Sequence, residues 1–446
     1  MKTINTLFVL LFSLCLAACG SGGGSKSGNN PPSSLTPSSM ATSSASSSSQ
    51  SLSSLSSSSS SLMNANSYPS YNTNPPAADI TGMSSNATEL AAKIKLGWNI
   101  GNTLEAGDFS TPLLPKKCGN QPDSETCWGN PKITEDYVKF VKQSGFNAIR
   151  LPVSWNQYAN QTTAEIETVW LNRIKEVVQY CVDNDLYVIV NIHWDGGWLE
   201  NNVISEKQNE NNLKQKAFWE QIATHLREFD EHLMFASANE PNVTEGSTAQ
   251  MNVLLSYHQT FIDTVRSTGG KNAYRVLIVQ GPNTDVEITN QLMTTMPSDS
   301  VSHRLMAEIH YYTPWNFTGM TKDESWGNQF YYWGKDFHST TDIAHNPTWG
   351  EEEKVNEMFA LMKTQFVDKG IPLIVGEYGT QKRAHLIGDD LTLHLASRAH
   401  YLKYVTQQAI AYGLKPFYWD TGGILSRSSN TVLDQQALDA LIQGGE

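Results

Sequence analysis

Two glutamates stand where apolar runs of this chain stop, Glu240 in "ANEP" and Glu377 in "VGEYG". Asn-Glu-Pro alone marks nothing more than a strand end. As a pair, however, two carboxyl groups can cleave a glycosidic bond, one protonating the leaving oxygen while the other attacks the anomeric carbon. A gap of about 5–5.5 Å suits that covalent, retaining route, and about 6.5–9.5 Å would admit a water and give inversion. Arg150 and Tyr312 are suited to keep Glu377 ionised through charge and hydrogen bonding. Glu240, relieved of a cationic partner, is then free to hold a proton near neutral pH. Asn239 offers a donor for a sugar 2-hydroxyl. His193 and His310 fit as partners of sugar or carboxylate, or as satisfied core imidazoles. "HWD" at His193-Trp194-Asp195 has the look of an H-x-D metal pair, but metal-dependent barrels begin with a histidine pair on the first strand, and this one reads "GWNIGN". No metal and no cofactor are expected.

These residues need a scaffold that gathers them. The runs "IKLGWNIGN", "FNAIRLPVSW", "LYVIVNIHWD", "LMFASANEP", "YRVLIVQGP", "HRLMAEIHYY", "IPLIVGEYG" and "LKPFYWDTGG" are β-rich and end in polar or aromatic residues. Amphipathic stretches such as "TEDYVKFVKQSG", "WLNRIKEVVQYCVDN", "KAFWEQIATHLREF" and "HQTFIDTVRSTGG" lie between them. The alternation predicts an α/β fold, a (β/α)8 TIM barrel. An open doubly wound sheet is disfavoured because no glycine-rich phosphate turn follows the first strand. In such a barrel chemistry sits where the strands end, and those ends carry Arg150, His193, Asn239, Glu240, His310, Tyr312, Glu377 and Trp419.

In order along the chain, "GWNIGNTLEA", "WGNP", "GFNAIRLPVSW", "VNIHWD", "ANEP", "IHYY", "VGEYG" and "FYWDTGG" resemble the landmarks of glycoside hydrolase family 5. The resemblance spans the whole globular part. The spacing from "GNTLEA" to "WGNP" is most similar to the subfamily of endo-β-1,4-glucanases, licheninases and xyloglucanases. It implies Glu240 as acid/base and Glu377 as nucleophile of a retaining double displacement. It further implies Arg150, His193, Asn239, His310 and Tyr312 as supporting residues and Trp419 as the platform under the sugar at the cleavage site. The chain departs from that subfamily at Trp194, where a second histidine is common, at Ala236 in place of glutamate, and at Glu105 in place of aspartate. Trp194 and Trp198 can add stacking surface on the leaving-group side.

The remainder of the sequence concerns delivery. Lys2 and "LFVLLFSLCLA" form a leader too short to span a membrane as a mature helix, ending in Leu16-Ala17-Ala18-Cys19. This resembles a bacterial lipobox, which makes residues 1–18 a signal peptide and Cys19 a lipidated anchor. With no aspartate after it, the resemblance implies outer-membrane attachment, with the catalytic domain at the cell surface. Residues 19–80 read as a flexible Ser/Gly-rich linker with a reach of roughly 40–45 Å, and 81–446 as the barrel. Cys118 and Cys127 flank a short polar loop and read as a disulfide, and Cys181 as a buried small hydrophobe. A net charge of −13 argues against nucleic acid as a partner. A monomer is expected, touching the membrane through its lipid alone.

The expected substrate is a β-1,4-glucan. Xyloglucan is favoured over cellulose and mixed-linkage glucan, because a tethered enzyme cannot travel along a crystalline fibre. Two other readings stay open: a surface lipoprotein that captures glycans without cleaving them, and a mannanase or exo-glucosidase on the same barrel.

Overall fold

The structure, a computed structural model, describes residues 67–109, 117–118 and 123–446. The leader, Cys19 and the Ser-rich run to residue 66 lie outside the described residues. Eight parallel strands close into a barrel in chain order. They are β1 (Gly97–Ile100), β2 (Ala148–Leu151), β3 (Tyr187–Asn191), β4 (Leu233–Ala236), β5 (Leu277–Gln280), β6 (Leu305–Tyr311), β7 (Leu373–Tyr378) and β8 (Lys415–Asp420). β8 pairs back onto β1, with Gly97 opposite Phe417 and Asn99 opposite Trp419.

Helices follow the strands around the barrel. Helix Thr168–Asp183 buries Trp170, Leu171, Ile174, Val177, Val178 and Cys181 on one stripe. These side chains and the outward faces of the strands form the main core. A second core fills the barrel itself: Ala148, Ile189, Met234, Ala236, Ile278, Met306, Ile374 and Phe417. Leu90, Ala91 and Ile94, on and just after the short helix Ala87–Lys93, join it. Above this apolar layer the inward positions turn polar, and there the chemistry sits.

The folded unit begins at Tyr68, not at Thr81. The Tyr71 N–H donates to Glu220 Oε2 at 2.7 Å, its hydroxyl to the Thr163 carbonyl at 2.7 Å, and the Asp79 N–H to the Gly270 carbonyl at 3.0 Å. Composition assigns this stretch to the linker because it averages over serines. Two tyrosines packed against the core are enough to dock it. Cys118 and Cys127 are disulfide-bonded, with Cα atoms 5.9 Å apart. The long insertion after β6 is pinned by buried Arg383, which donates to the Met320 carbonyl, to Gln329 Oε1 at 2.8 Å and to the Asn316 carbonyl at 3.1 Å.

Candidate active site

Arg150 on β2 is fully buried and organises the mouth of the barrel. One terminal nitrogen donates to Glu377 Oε1 at 2.9 Å and to Asn99 Oδ1 at 3.1 Å, and the other to Asn239 Oδ1 at 2.8 Å. Its Nε lies 3.0 Å from Glu308 Oε1. Asn99 on β1 is held in turn, its amide reaching the Gly376 carbonyl at 2.8 Å.

Glu377 reaches this guanidinium through an irregularity in β7. Ile374 faces the barrel interior and Val375 the outer core, so strict alternation would turn Glu377 outward. Between Val375 and Glu377 the register with β6 slips by one residue, so that Ile309 faces Val375 and His310 faces Glu377. Gly376 is the extra residue, and the bulge turns Glu377 inward. A Cβ on Gly376 would lie 1.9 Å from Glu308 Oε1, so a side chain there collides with the acid beneath. The Tyr312 hydroxyl donates to the other Glu377 oxygen at 3.0 Å.

Glu240 stands four residues beyond β4, whose ladder ends at Ala236. Cross-links take over where the strand stops. The Ala238 N–H donates to Gln280 Oε1 at 2.8 Å, and the Glu240 N–H to Glu200 Oε1 at 2.5 Å. The Pro241 carbonyl accepts from the Asn283 N–H at 2.8 Å. His310 Nδ1 lies 2.7 Å from Glu240 Oε1 and 3.8 Å from Glu377 Oε2. One oxygen of Glu240, one of Glu377 and a ring nitrogen of His310 all fall within 4.8 Å of one another. Such a trio can ligate a cation by distance alone. Here the Arg150 charge beside Glu377 opposes a divalent ion, and the His310–Glu240 contact is already a hydrogen bond.

The electrostatics differ from the sequence expectation. Glu240 is not relieved of a cationic partner, since His310 takes that place. Burial alone would lower the His310 pKa, but Glu377, Glu240 and Glu308 outweigh it and raise it to about 9. The imidazole is therefore a cation at neutral pH, with both nitrogens donating. Burial raises the Glu377 carboxyl, against the pull of His310, Arg150 and the Tyr312 hydrogen bond. His193 behaves oppositely: burial and the charges of Arg150 and His310 drive it well below the ordinary histidine range. Because Asn191 Oδ1 accepts from the Val153 N–H, its amide nitrogen faces His193 Nδ1 at 3.3 Å. This assigns Nε2–H as the donor His193 offers.

The His193 ring stacks on Trp419 at 5.7 Å with an interplanar angle of 8°. Gly101 permits that pose, since a Cβ there would meet the Trp419 ring at 2.7 Å. Trp194 is half-buried and edge-on to Phe109 at 4.8 Å. Trp198, expected to stack on sugar, instead belongs to the interior. It is 9% exposed, its indole N–H donates to Asp195 Oδ2 at 3.0 Å, and Lys214 Nζ sits 4.8 Å over its ring. Asp195 is no metal ligand in this arrangement. Its carboxylate accepts from the Ser154 hydroxyl at 2.5 Å and from the N–H groups of Trp155 at 3.0 Å and Asn156 at 2.8 Å.

Two carboxyl groups escaped the sequence reading. Glu308 lies two residues before His310 on an apolar strand, and period-two alternation puts both on one face, a signal that "AEIHYY" does carry. Glu200 sits in the loop after β3, where no periodicity marks it. Burial, reinforced by the Glu240 charge, pushes Glu200 up to about 8.

Comparison with known proteins agrees with this geometry. Residues 110–423 match the family model described as cellulase, glycosyl hydrolase family 5. The chain is 35% identical over 378 residues to a xyloglucan-specific endo-β-1,4-glucanase of Bacteroides ovatus, covering 82% of this chain and 72% of that protein. It is also 35% identical over 404 residues to endoglucanase A of Paenibacillus barcinonensis, covering 85% and 94%. The solved structure of a Bacteroides ovatus family 5 xyloglucanase with a XXXG heptasaccharide superposes with a TM-score of 0.77 at 33% identity, covering 85% of this chain and 80% of that one. A barrel with this mouth, matched over most of its length, belongs to glycosyl hydrolase family 5, and the chain is a glycoside hydrolase.

Proposed function

We propose that this enzyme is a retaining endo-β-1,4-glucan hydrolase that prefers xyloglucan. The observation that carries the reading is the proximity of Glu240 and Glu377, one oxygen of each lying within 4.8 Å of the other. So close an approach belongs with the short carboxyl separation of a retaining pair and not with the gap of about 6.5–9.5 Å that inversion uses. In the first step a Glu377 oxygen attacks the anomeric carbon, the bond to the leaving oxygen breaks, and the Glu240 proton passes to that oxygen. In the second, Glu240 takes a proton from water, the water oxygen bonds to the anomeric carbon, and Glu377 departs as a carboxylate. Arg150 and Tyr312 hold the nucleophile between them. The Asn239 oxygen is engaged by Arg150, which leaves its amide N–H groups for a sugar hydroxyl. His193 presents its N–H beside Trp419, on which the sugar rests.

The preference for xyloglucan is supported by relatives named for that polysaccharide. Product analysis on xyloglucan, mixed-linkage glucan, carboxymethyl cellulose and mannan in parallel tests it. Xyloglucan is expected to be cut fastest, with an early fall in viscosity. Mannan as the best substrate, or short products released only from chain ends, would overturn the reading. The same proposal places the protein, as a monomer, on the outer membrane through lipidated Cys19, with the barrel at the cell surface. Metabolic labelling with a fatty acid should mark the wild type and not Cys19→Ala, and equal labelling of both would remove the anchor.

A further inference from the structure

Glu308 has no place in the two steps above, yet it is the most thoroughly enclosed acid of the site. It is 0% exposed. Arg150 Nε approaches its Oε1 at 3.0 Å, His310 Nε2 approaches the same oxygen at 3.3 Å, and Gln280 Nε2 donates to Oε2 at 2.6 Å. Gln280 is itself fixed, since its oxygen accepts the Ala238 N–H on the segment that leads to Glu240. Gly376, the bulge residue that turns Glu377 inward, has no room for a Cβ because Glu308 lies against it. One buried carboxylate thus touches the cation that holds Glu377, the cation that holds Glu240, and the bulge itself.

We propose that Glu308 is a positioning residue whose charge, acting through Arg150 and His310, sets the proton balance of the catalytic cluster. The inference rests on the acid/base and nucleophile roles proposed above. Its physical basis is charge parity in a pocket with little water. The groups that face Glu308 are Arg150 from β2, Gln280 from β5, His310 from β6 and Gly376 from β7. Beyond the two cations lie Glu240, Glu377, Glu200, His193 and Tyr312. Arg150 and His310 are cations. His193 and Tyr312 are neutral, and Glu200 keeps its own proton below about 8. Glu308 stays ionised: burial opposes this, but Arg150 and His310 hold its carboxyl below the ordinary range. Two cations against three carboxylates leave one negative charge in excess, and a single retained proton cancels it. Removing the Glu308 charge balances two cations against two carboxylates with no proton at all. The cluster then gives up its acid proton at lower pH, and because these groups titrate together, the shift belongs to the cluster as a whole.

The test is Glu308→Gln, read by pH profiles on a soluble β-1,4-glucan and on a dinitrophenyl β-cellobioside, whose leaving group needs no protonation. Losing a negative neighbour favours the deprotonated forms, so the whole bell moves to lower pH, by about one unit or more on its basic limb. At pH 7 the polysaccharide rate should fall about tenfold and the aryl rate by less than about threefold. Equal losses on both substrates with an unmoved basic limb would reduce Glu308 to packing and overturn the inference. Glu308→Asp supplies a second reading, including for the case in which the glutamine variant does not fold. It keeps the charge, so its basic limb should stay within about half a unit of wild type, and a limb displaced as if the charge were gone overturns the inference. Wild-type enzyme assayed alongside separates this result from the proposed function, because a wild type inert on every β-glucan sinks that function whatever Glu308 does.

Discussion

Glu377→Ala should lower release of reducing ends from β-1,4-glucan by about 10⁴-fold or more, worth roughly 5.5 kcal/mol of barrier, while oligosaccharide binding persists. The loss falls on chemistry because the remaining shell keeps its partners. Arg150 retains Glu308, Asn99 and Asn239 when Glu377 is shortened, so no buried charge is orphaned. The variant should therefore fold, and a melting temperature close to wild type checks this. Product stereochemistry tests the role itself. Azide entering the space left by the side chain attacks the anomeric carbon from the Glu377 face, with Glu240 still present to protonate the leaving oxygen. The product is then an α-glycosyl azide. A β-glycosyl azide, or rates within about tenfold of wild type, would remove Glu377 from the nucleophile's place.

Much of this site was legible in the sequence because the barrel concentrates its chemistry at strand ends. Eight β-rich runs with helical stretches between them gave the topology, and Arg150, His310 and Glu377 lie on those strands. What stayed hidden was local backbone irregularity. "VGEYG" shows a glycine before the glutamate, but only the pairing of His310 with Glu377 reveals that Gly376 is a bulge. "LMFASANEP" reads as one strand, whereas pairing stops at Ala236 and side chains of Gln280 and Glu200 steer the last residues to Glu240. Trp198 was misplaced for a different reason. Near a barrel mouth a tryptophan can face sugar or core, and the choice here rests on Asp195 and Lys214, partners distant or unmarked in sequence. The electrostatics were hardest to read, because His310 acquires its charge from three carboxylates contributed by β6, β7 and the loop after β4.

Glu240→Ala should separate the two steps that Glu377→Ala abolishes together. Without a proton donor, cleavage of a polysaccharide, whose leaving sugar alkoxide is strongly basic, should fall by about 10²–10⁴-fold. With a dinitrophenyl leaving group the first step needs no acid, so Glu377 still attacks and the glycosyl-enzyme accumulates. Its hydrolysis is then slow, because no base remains to take the proton from water. A rapid burst of dinitrophenolate followed by a slow steady state is the expected trace. Azide needs no deprotonation, so it should accelerate the slow phase and yield a β-glycosyl azide, the opposite anomer to that from Glu377→Ala. His310 loses the carboxylate that its Nδ1 contacts at 2.7 Å but keeps Glu308 at 3.3 Å, so the imidazole stays oriented while its charge is less supported. The residual rate on the polysaccharide should lose its basic limb and not merely shift it, since the group whose protonation that limb reports is gone. Equal losses on polysaccharide and aryl substrate, without azide acceleration, would show that Glu240 is not the acid/base.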